Sequence, residues 1–169
     1  MTKNLIPTID ISSLVNQDFN SNKSVKTINK IKKACINIGF FQIVGHGISK
    51  KNIKNICSVG NKFFNSSEKN KKKLAPKKWN YKNKNIYRGY FPNDVNGKEG
   101  LDISDPKVTK KYASLIKKQY IEHINLNKSM DKKSIKILAE YFDKIFNLGE
   151  TLFKCVIKLY KKYQSIASY

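Results

Sequence analysis

Residues 34–48 read Ala34-Cys-Ile-Asn-Ile-Gly39-Phe-Phe-Gln-Ile-Val44-Gly-His-Gly-Ile48, and a helix end, a strand and a turn meet within them. The helix is legible upstream, where Val25, Ile28, Ile31, Cys35 and Ile38 recur at helical spacing with lysines between them. Ser24 is the expected N-cap, and Gly39 stands where a C-terminal glycine ends a helix in the left-handed conformation. Phe40 to Val44 is a compact β-prone run, and Gly45-His46-Gly47 then turns the chain.

Working outward, Ile6-Pro-Thr-Ile-Asp-Ile11 predicts a short strand, with Pro7 tolerable at its start. Asp18 to Lys23 is a polar loop. Ser49 suits the cap of a second helix carrying Ile53, Ile56, Gly60 and Phe63 on one face. Ser66 or Ser67 opens a short lysine-rich helical turn that ends near Pro76. Trp79 to Asn85 is polar and aromatic, without a clear period. Tyr87 to Phe91 and Glu99 to Ile103 predict two short strands, with Asn96-Gly97 as a turn signal between them. Lys107 to Lys118 is ambiguous. From the candidate cap Asp131, Leu138, Phe142, Ile145, Gly149, Leu152, Val156, Leu159 and Tyr163 predict a long helix. A second stripe of Ile135, Phe146, Phe153, Ile157 and Tyr160 widens its face, which favours core packing over a narrow coiled-coil seam. The expected fold is α+β: helices on a few short strands, closed by a long C-terminal helix.

The chain has 169 residues, enough to bury roughly 70% of its unfolded surface. Hydrophobic residues at 40% and aromatics at 11% exclude a disordered tail. The net charge of +22 invites a nucleic-acid reading, but 33 of the 34 basic residues are lysine and one, Arg88, is arginine. Proteins that read phosphates and base edges use the bidentate fork of arginine. Lysine, asparagine and isoleucine make up 73 residues and can all be written in A and T alone, so a low-GC genome accounts for the charge. The expectation is no specific nucleic-acid partner, and weak polyanion binding that collapses as salt rises. The opening residues contain no apolar signal core, and no run approaches the ~20 apolar residues of a membrane span. A soluble, cytoplasmic protein without a membrane partner is expected.

Metal and nucleophile patterns are sparse. The two histidines, His46 and His123, are not followed by a carboxylate two residues on, so neither forms a His-X-Asp pair. Cys35, Cys57 and Cys155 are too few for a four-cysteine zinc site, and Cys35 and Cys57 read as small buried hydrophobes on helix faces. There is no Gly-X-Ser-X-Gly elbow, and Gly45-His-Gly47 lacks the rest of a phosphate loop. Asp10, Glu99, Asp102 and Asp105 read as surface carboxylates. Arg88, beside Tyr87 and Tyr90, suits a carboxylate clamp, a cation–π stack or a structural ion pair.

In order, Ile6-Pro-Thr-Ile-Asp10, the stretch from Ala34 to Ile48, Phe63-Phe-Asn-Ser-Ser-Glu-Lys69, Tyr87-Arg-Gly-Tyr-Phe-Pro92 and Lys98-Glu-Gly-Leu-Asp-Ile103 resemble the opening of the isopenicillin N synthase-like family. These are non-haem iron(II), 2-oxoglutarate-dependent dioxygenases. The resemblance implies a non-haem dioxygenase N-terminal domain over residues 5–163, with 164–169 a truncated tail. It further implies that Arg88 and Tyr90 border the substrate pocket. The family's His-X-Asp pair, distant histidine and Arg-X-Ser motif lie on a barrel that follows the long helix. The resemblance therefore implies no catalytic, metal or cofactor-binding residue in this chain, with iron(II) and 2-oxoglutarate supplied by the missing barrel. A domain contact of about 1,000 Å², half of it apolar, would contribute about 12 kcal/mol gross as an upper figure. The expected consequence is a marginal chain, self-associating or completed by a separately encoded catalytic-barrel polypeptide. A non-catalytic interaction module is the alternative.

Overall fold

The computed structural model describes residues 6–16, 18–93, 97–104 and 124–167, the last eight by their backbone alone. Two compact units divide the chain, one from residues 1–49 and 144–169, the other from residues 50–143.

In the first unit, β1 (Thr8–Asp10) pairs in parallel with β2 (Gln42–Val44), Ile9 opposite Ile43. Parallel neighbours need a long crossover. Here it consists of α1 (Ser12–Val15) and α2 (Asn22–Asn37). Asp10 turns the chain out of β1 by accepting the Ser12 amide at 2.8 Å, and that bond holds its carboxyl below the ordinary range. Ser21, not Ser24, caps α2, accepting the Ser24 amide at 3.3 Å. Ser24 lies inside the first turn, fully buried, its hydroxyl donating to the Ser13 carbonyl at 2.9 Å. The apolar stripe begins only at Val25, so the polar first turn left no periodic signal. Gly39 leaves the helix at φ +82°, as its position predicted.

The core of this unit joins Ile9, Ile11, Leu14, Ile28, Ile31 and Ala34 to Cys155, with Leu148, Leu152 and Leu159 packed against it. Cys155 and its neighbours come from the second half of α5 (Lys132–Ala167). The inward face of that half is Leu148, Thr151, Leu152, Cys155 and Leu159. It differs from the expected stripe, whose Ile145 and Val156 are 42% and 50% exposed. A strict 4-3 spacing drifts by about 20° per heptad on a straight helix, which brings Leu152 and Leu159 of the expected stripe onto the inward face and leaves Ile145 and Val156 outside it. Ile145, Phe146, Phe153, Val156 and Ile157 form a second, exposed apolar side of α5. Cys35 and Cys57 are also exposed, contrary to the expected burial. Cys57 lies off the face of α3 (Lys50–Phe64) that carries Val59 and Phe63, whereas Cys35 shares the direction of Ile28 and Ile31 but stands in the last turn of α2.

In the second unit, α3 (Lys50–Phe64) and α4 (Glu68–Lys72) precede an antiparallel hairpin of β3 (Gly89–Phe91) and β4 (Gly100–Asp102). Phe63, Leu74, Ala75, Tyr90, Leu126 and Leu138 form its core. Phe63 meets Tyr90 edge to face at 5.9 Å, and Trp79 meets Phe91 the same way at 5.6 Å. The irregular stretch before β3 is held by asparagine amides in place of a sheet. Asn80 donates to the Lys72 carbonyl at 3.0 Å, and Asn83 donates to Lys73 and Ala75 carbonyls at 3.0 and 2.7 Å. Asn85 donates to the Arg88 carbonyl. Lys107 to Lys118 and Asn96 of the turn signal lie outside the described residues. The fold is α+β; among the described residues there are two two-stranded sheets and no closed barrel. No described helix is long and apolar enough to cross a membrane.

Asp131 caps α5 as expected, accepting the Ser134 amide at 2.8 Å while Lys62 donates to its other oxygen at 2.6 Å. The Lys62 bond, then the Ser134 amide, hold its carboxyl far below the ordinary aspartate value. A depressed carboxyl contributes stability above its unfolded value of about 4 and loses it as pH falls through the folded value. Asp131→Ala is therefore expected to lower the Tm at pH 7 by about 3 °C. The gap between wild type and variant narrows below pH 4, and thermal melts at pH 7 and pH 3 check both statements. An equal gap at both values would exclude the ionised cap as its source.

Candidate functional site

The two residues singled out as substrate-facing, Arg88 and Tyr90, flank Gly89 at the start of β3. The register sets Gly89 opposite Asp102 and Tyr90 opposite Leu101, which brings Arg88 to an acid on the returning strand and Tyr90 to Glu99 just before it. Arg88 Nη1 donates to Asp102 Oδ1 at 2.9 Å and to the Ile103 carbonyl at 3.2 Å. Its side chain is 37% exposed, so the guanidinium is held in place at the surface.

Tyr90 is buried at 2% exposure. Its hydroxyl donates to Glu99 Oε2 at 2.7 Å, and Lys71 Nζ donates to the same oxygen at 2.6 Å. Lys71 also donates to the Phe64 carbonyl at 3.1 Å. The lysine bond, then the phenol, hold the Glu99 carboxyl below its usual range; the Glu99 bond raises Lys71. Burial, then Glu99, push the Tyr90 hydroxyl upward. The triad ties α4 to both strands of the hairpin and so fixes the segment that carries Arg88. It keeps Tyr90 a neutral donor. Lys71 lies in the densest lysine run of the sequence and carries a half-buried charge there, a role that composition alone hid.

The other described candidates, His46 and Cys155, belong to the first unit. His46 stands between two glycines at φ +68° and +76°, and its Nδ1 accepts the Ile48 amide at 3.1 Å, a turn-forming bond. Cys155 is fully buried, donates to the Thr151 carbonyl at 3.2 Å, and burial raises its thiol, which disfavours the reactive thiolate. His123 and Asp105 lie outside the described residues. Among the described residues, no three His, Cys, Asp or Glu side chains group where they could hold a metal ion. These residues do not fit an iron centre.

The family model described as "non-haem dioxygenase in morphine synthesis N-terminal" matches residues 6–134. The chain belongs to this dioxygenase N-terminal family. It is 35% identical over 105 residues to a homoarginine-6-hydroxylase of Arabidopsis thaliana, covering 58% of this chain and 28% of that protein. It is 33% identical over 103 residues to the 2-oxoglutarate-dependent dioxygenase tropC of Talaromyces stipitatus, covering 61% and 31%. A probable iron/ascorbate oxidoreductase of Dictyostelium discoideum is 29% identical over 171 residues, covering 89% of this chain and 44% of its own. The chain thus spans less than half the length of these curated relatives. In this dioxygenase N-terminal domain, the pairing of Arg88 with Asp102 and of Tyr90 with Glu99 went unread in the sequence. The available signal was the count of residues across the hairpin, which places Asp102 on the strand facing β3 and Glu99 immediately before that strand.

Proposed function

We propose that this chain provides the N-terminal domain of an iron(II)- and 2-oxoglutarate-dependent oxygenase acting on a small molecule. On this reading the chain alone is catalytically incomplete, and a catalytic barrel supplies the metal and co-substrate sites. The family match carries the reading, and the relatives' names point to the same oxidative chemistry. The exposed apolar side of α5, with Phe153 65% exposed, supports a barrel docking there. Burying such a side on a partner removes apolar area from water at ~25 cal/mol per Å². Self-association through the same side is the competing use. Arg88 contacts a carboxylate or other anionic group of the substrate from the pocket rim, and Tyr90 positions it through the hairpin. A reducing cytosol suits the two exposed free thiols, Cys35 and Cys57.

The test compares the chain alone with the chain joined to a catalytic barrel of the family. The expected result is 2-oxoglutarate conversion to succinate and stoichiometric iron only in the joined form. Tight stoichiometric iron in the chain alone would overturn the reading. In the joined form, Arg88→Ala is expected to raise KM for an anionic substrate by about 10–100-fold with little change in melting, because exposed ion pairs contribute little to stability. An unchanged KM would remove Arg88 from the pocket.

A further inference from the structure

A cavity of about 290 Å³ in the second unit is lined by Lys73, Lys82, Lys84 and Lys128, together with Asn83, Asn85, Asn125, Leu74 and Ile124. Among the described residues no carboxylate lines it. Elsewhere in this unit acids meet bases: Glu68 pairs with Lys72, Glu99 with Lys71, Asp102 with Arg88 and Asp131 with Lys62. The partners seen for the cavity lysines are neutral. Lys128 Nζ donates to Asn83 Oδ1 at 3.0 Å, Lys73 Nζ donates to Asn70 Oδ1 at 3.2 Å, and Lys82 Nζ lies 5.8 Å from the Tyr81 ring centre. Asn83 is itself buried and fixed, its amide nitrogen donating to two backbone carbonyls. Lys128 is thereby anchored at a built polar wall rather than left to wave in solvent.

Four lysines line one cavity, with the Lys128 ammonium fixed on its wall at Asn83, so the potential inside it is positive and a charge within the screening length of about 8 Å at physiological salt still feels it. A multivalent anion is drawn to such a potential. Lysine serves phosphate as a point charge, without the planar fork that a carboxylate favours. The concave arrangement suits a compact anion better than a polymer lying along a surface. We propose that this cavity binds a phosphate-type oxyanion, either free or as the phosphoryl group of a small molecule.

The test titrates the full chain with inorganic pyrophosphate and with adenosine monophosphate at constant ionic strength, followed by calorimetry. Saturable one-to-one binding is expected, weakened about 10-fold in Lys128→Gln and in Lys84→Gln. Lys54→Gln, on α3 and outside the cavity, should bind as the wild type does. Glutamine can still donate to Asn83 Oδ1, and unliganded melts confirm that each variant folds. Tighter binding of pyrophosphate supports a free anion, and tighter binding of the nucleotide supports a carried phosphoryl group. Failure to saturate, or equal weakening by Lys54→Gln, overturns the proposal and reduces the effect to net surface charge. None of these outcomes depends on the oxygenase reading, because the test needs no catalytic barrel.

Discussion

Gly89→Ala is expected to cost about 3 kcal/mol or more and to leave the β3–β4 hairpin unformed. Gly89 adopts φ +124°, a backbone conformation that side-chain-bearing residues rarely take. A Cβ there would overlap the Leu74 carbonyl oxygen, which is backbone and already accepts the Tyr90 amide at 3.2 Å. It would also press on Asn85 Nδ2 at 2.8 Å. Neither neighbour can yield: moving Leu74 breaks the Tyr90 bond, and moving Asn85 releases the Arg88 carbonyl. Gly100→Ala is the control, since a Cβ at Gly100 meets nothing within 4 Å and its φ is ordinary. Urea unfolding of the two variants should differ by at least about 2 kcal/mol. Similar midpoints would mean that the approach of Leu74 to Gly89 does not hold the hairpin.

The second large effect concerns association rather than folding. Phe153→Asp combined with Val156→Glu is expected to weaken binding to a catalytic barrel by more than about 100-fold. Phe153 and Val156 are 65% and 50% exposed, so their replacement by acids should change the chain's own stability little. Two carboxylates forced into an apolar contact would lose their hydration without gaining a partner. Sedimentation of the mixture, and of the chain alone, separates the possible uses of this side. Loss of barrel binding supports the domain reading, whereas loss of a dimer of the chain supports self-association. Unchanged behaviour in both would show that this side of α5 docks nothing.

What the sequence displayed was local. The strand at Thr8–Asp10, the stop at Gly39, the strand at Gln42–Val44 and the Asp131 cap each depend on a few neighbouring residues, and each stands where its residues placed it. What it hid needed distant partners. Ser24 reads as a cap until Ser13 supplies a carbonyl for its hydroxyl eleven positions away. Asn80, Asn83 and Asn85 read as loop filler, yet their amides take the carbonyls of Lys72, Lys73, Ala75 and Arg88. The buried side of α5 could not be chosen from periodicity because the helix is apolar on more than one side. The candidate site was half legible. A single arginine among 33 lysines drew attention to Arg88, but its pairing with Asp102 follows only from the hairpin register.

The first unit is discontinuous in the chain, and this shapes how it can be made. Its strands and α2 leave the ribosome early, whereas Cys155 and Lys158 arrive more than a hundred residues later. Lys158 closes on the Phe19 carbonyl at 2.5 Å across a separation of 139 residues. Ile9, Ile11 and Leu14 therefore have only α2 as helical cover until more than a hundred further residues have been made. Such late closure slows folding and exposes the nascent chain to aggregation. A chaperone that shields the emerging N-terminal segment would raise the yield of this protein more than it would for one whose first unit is contiguous.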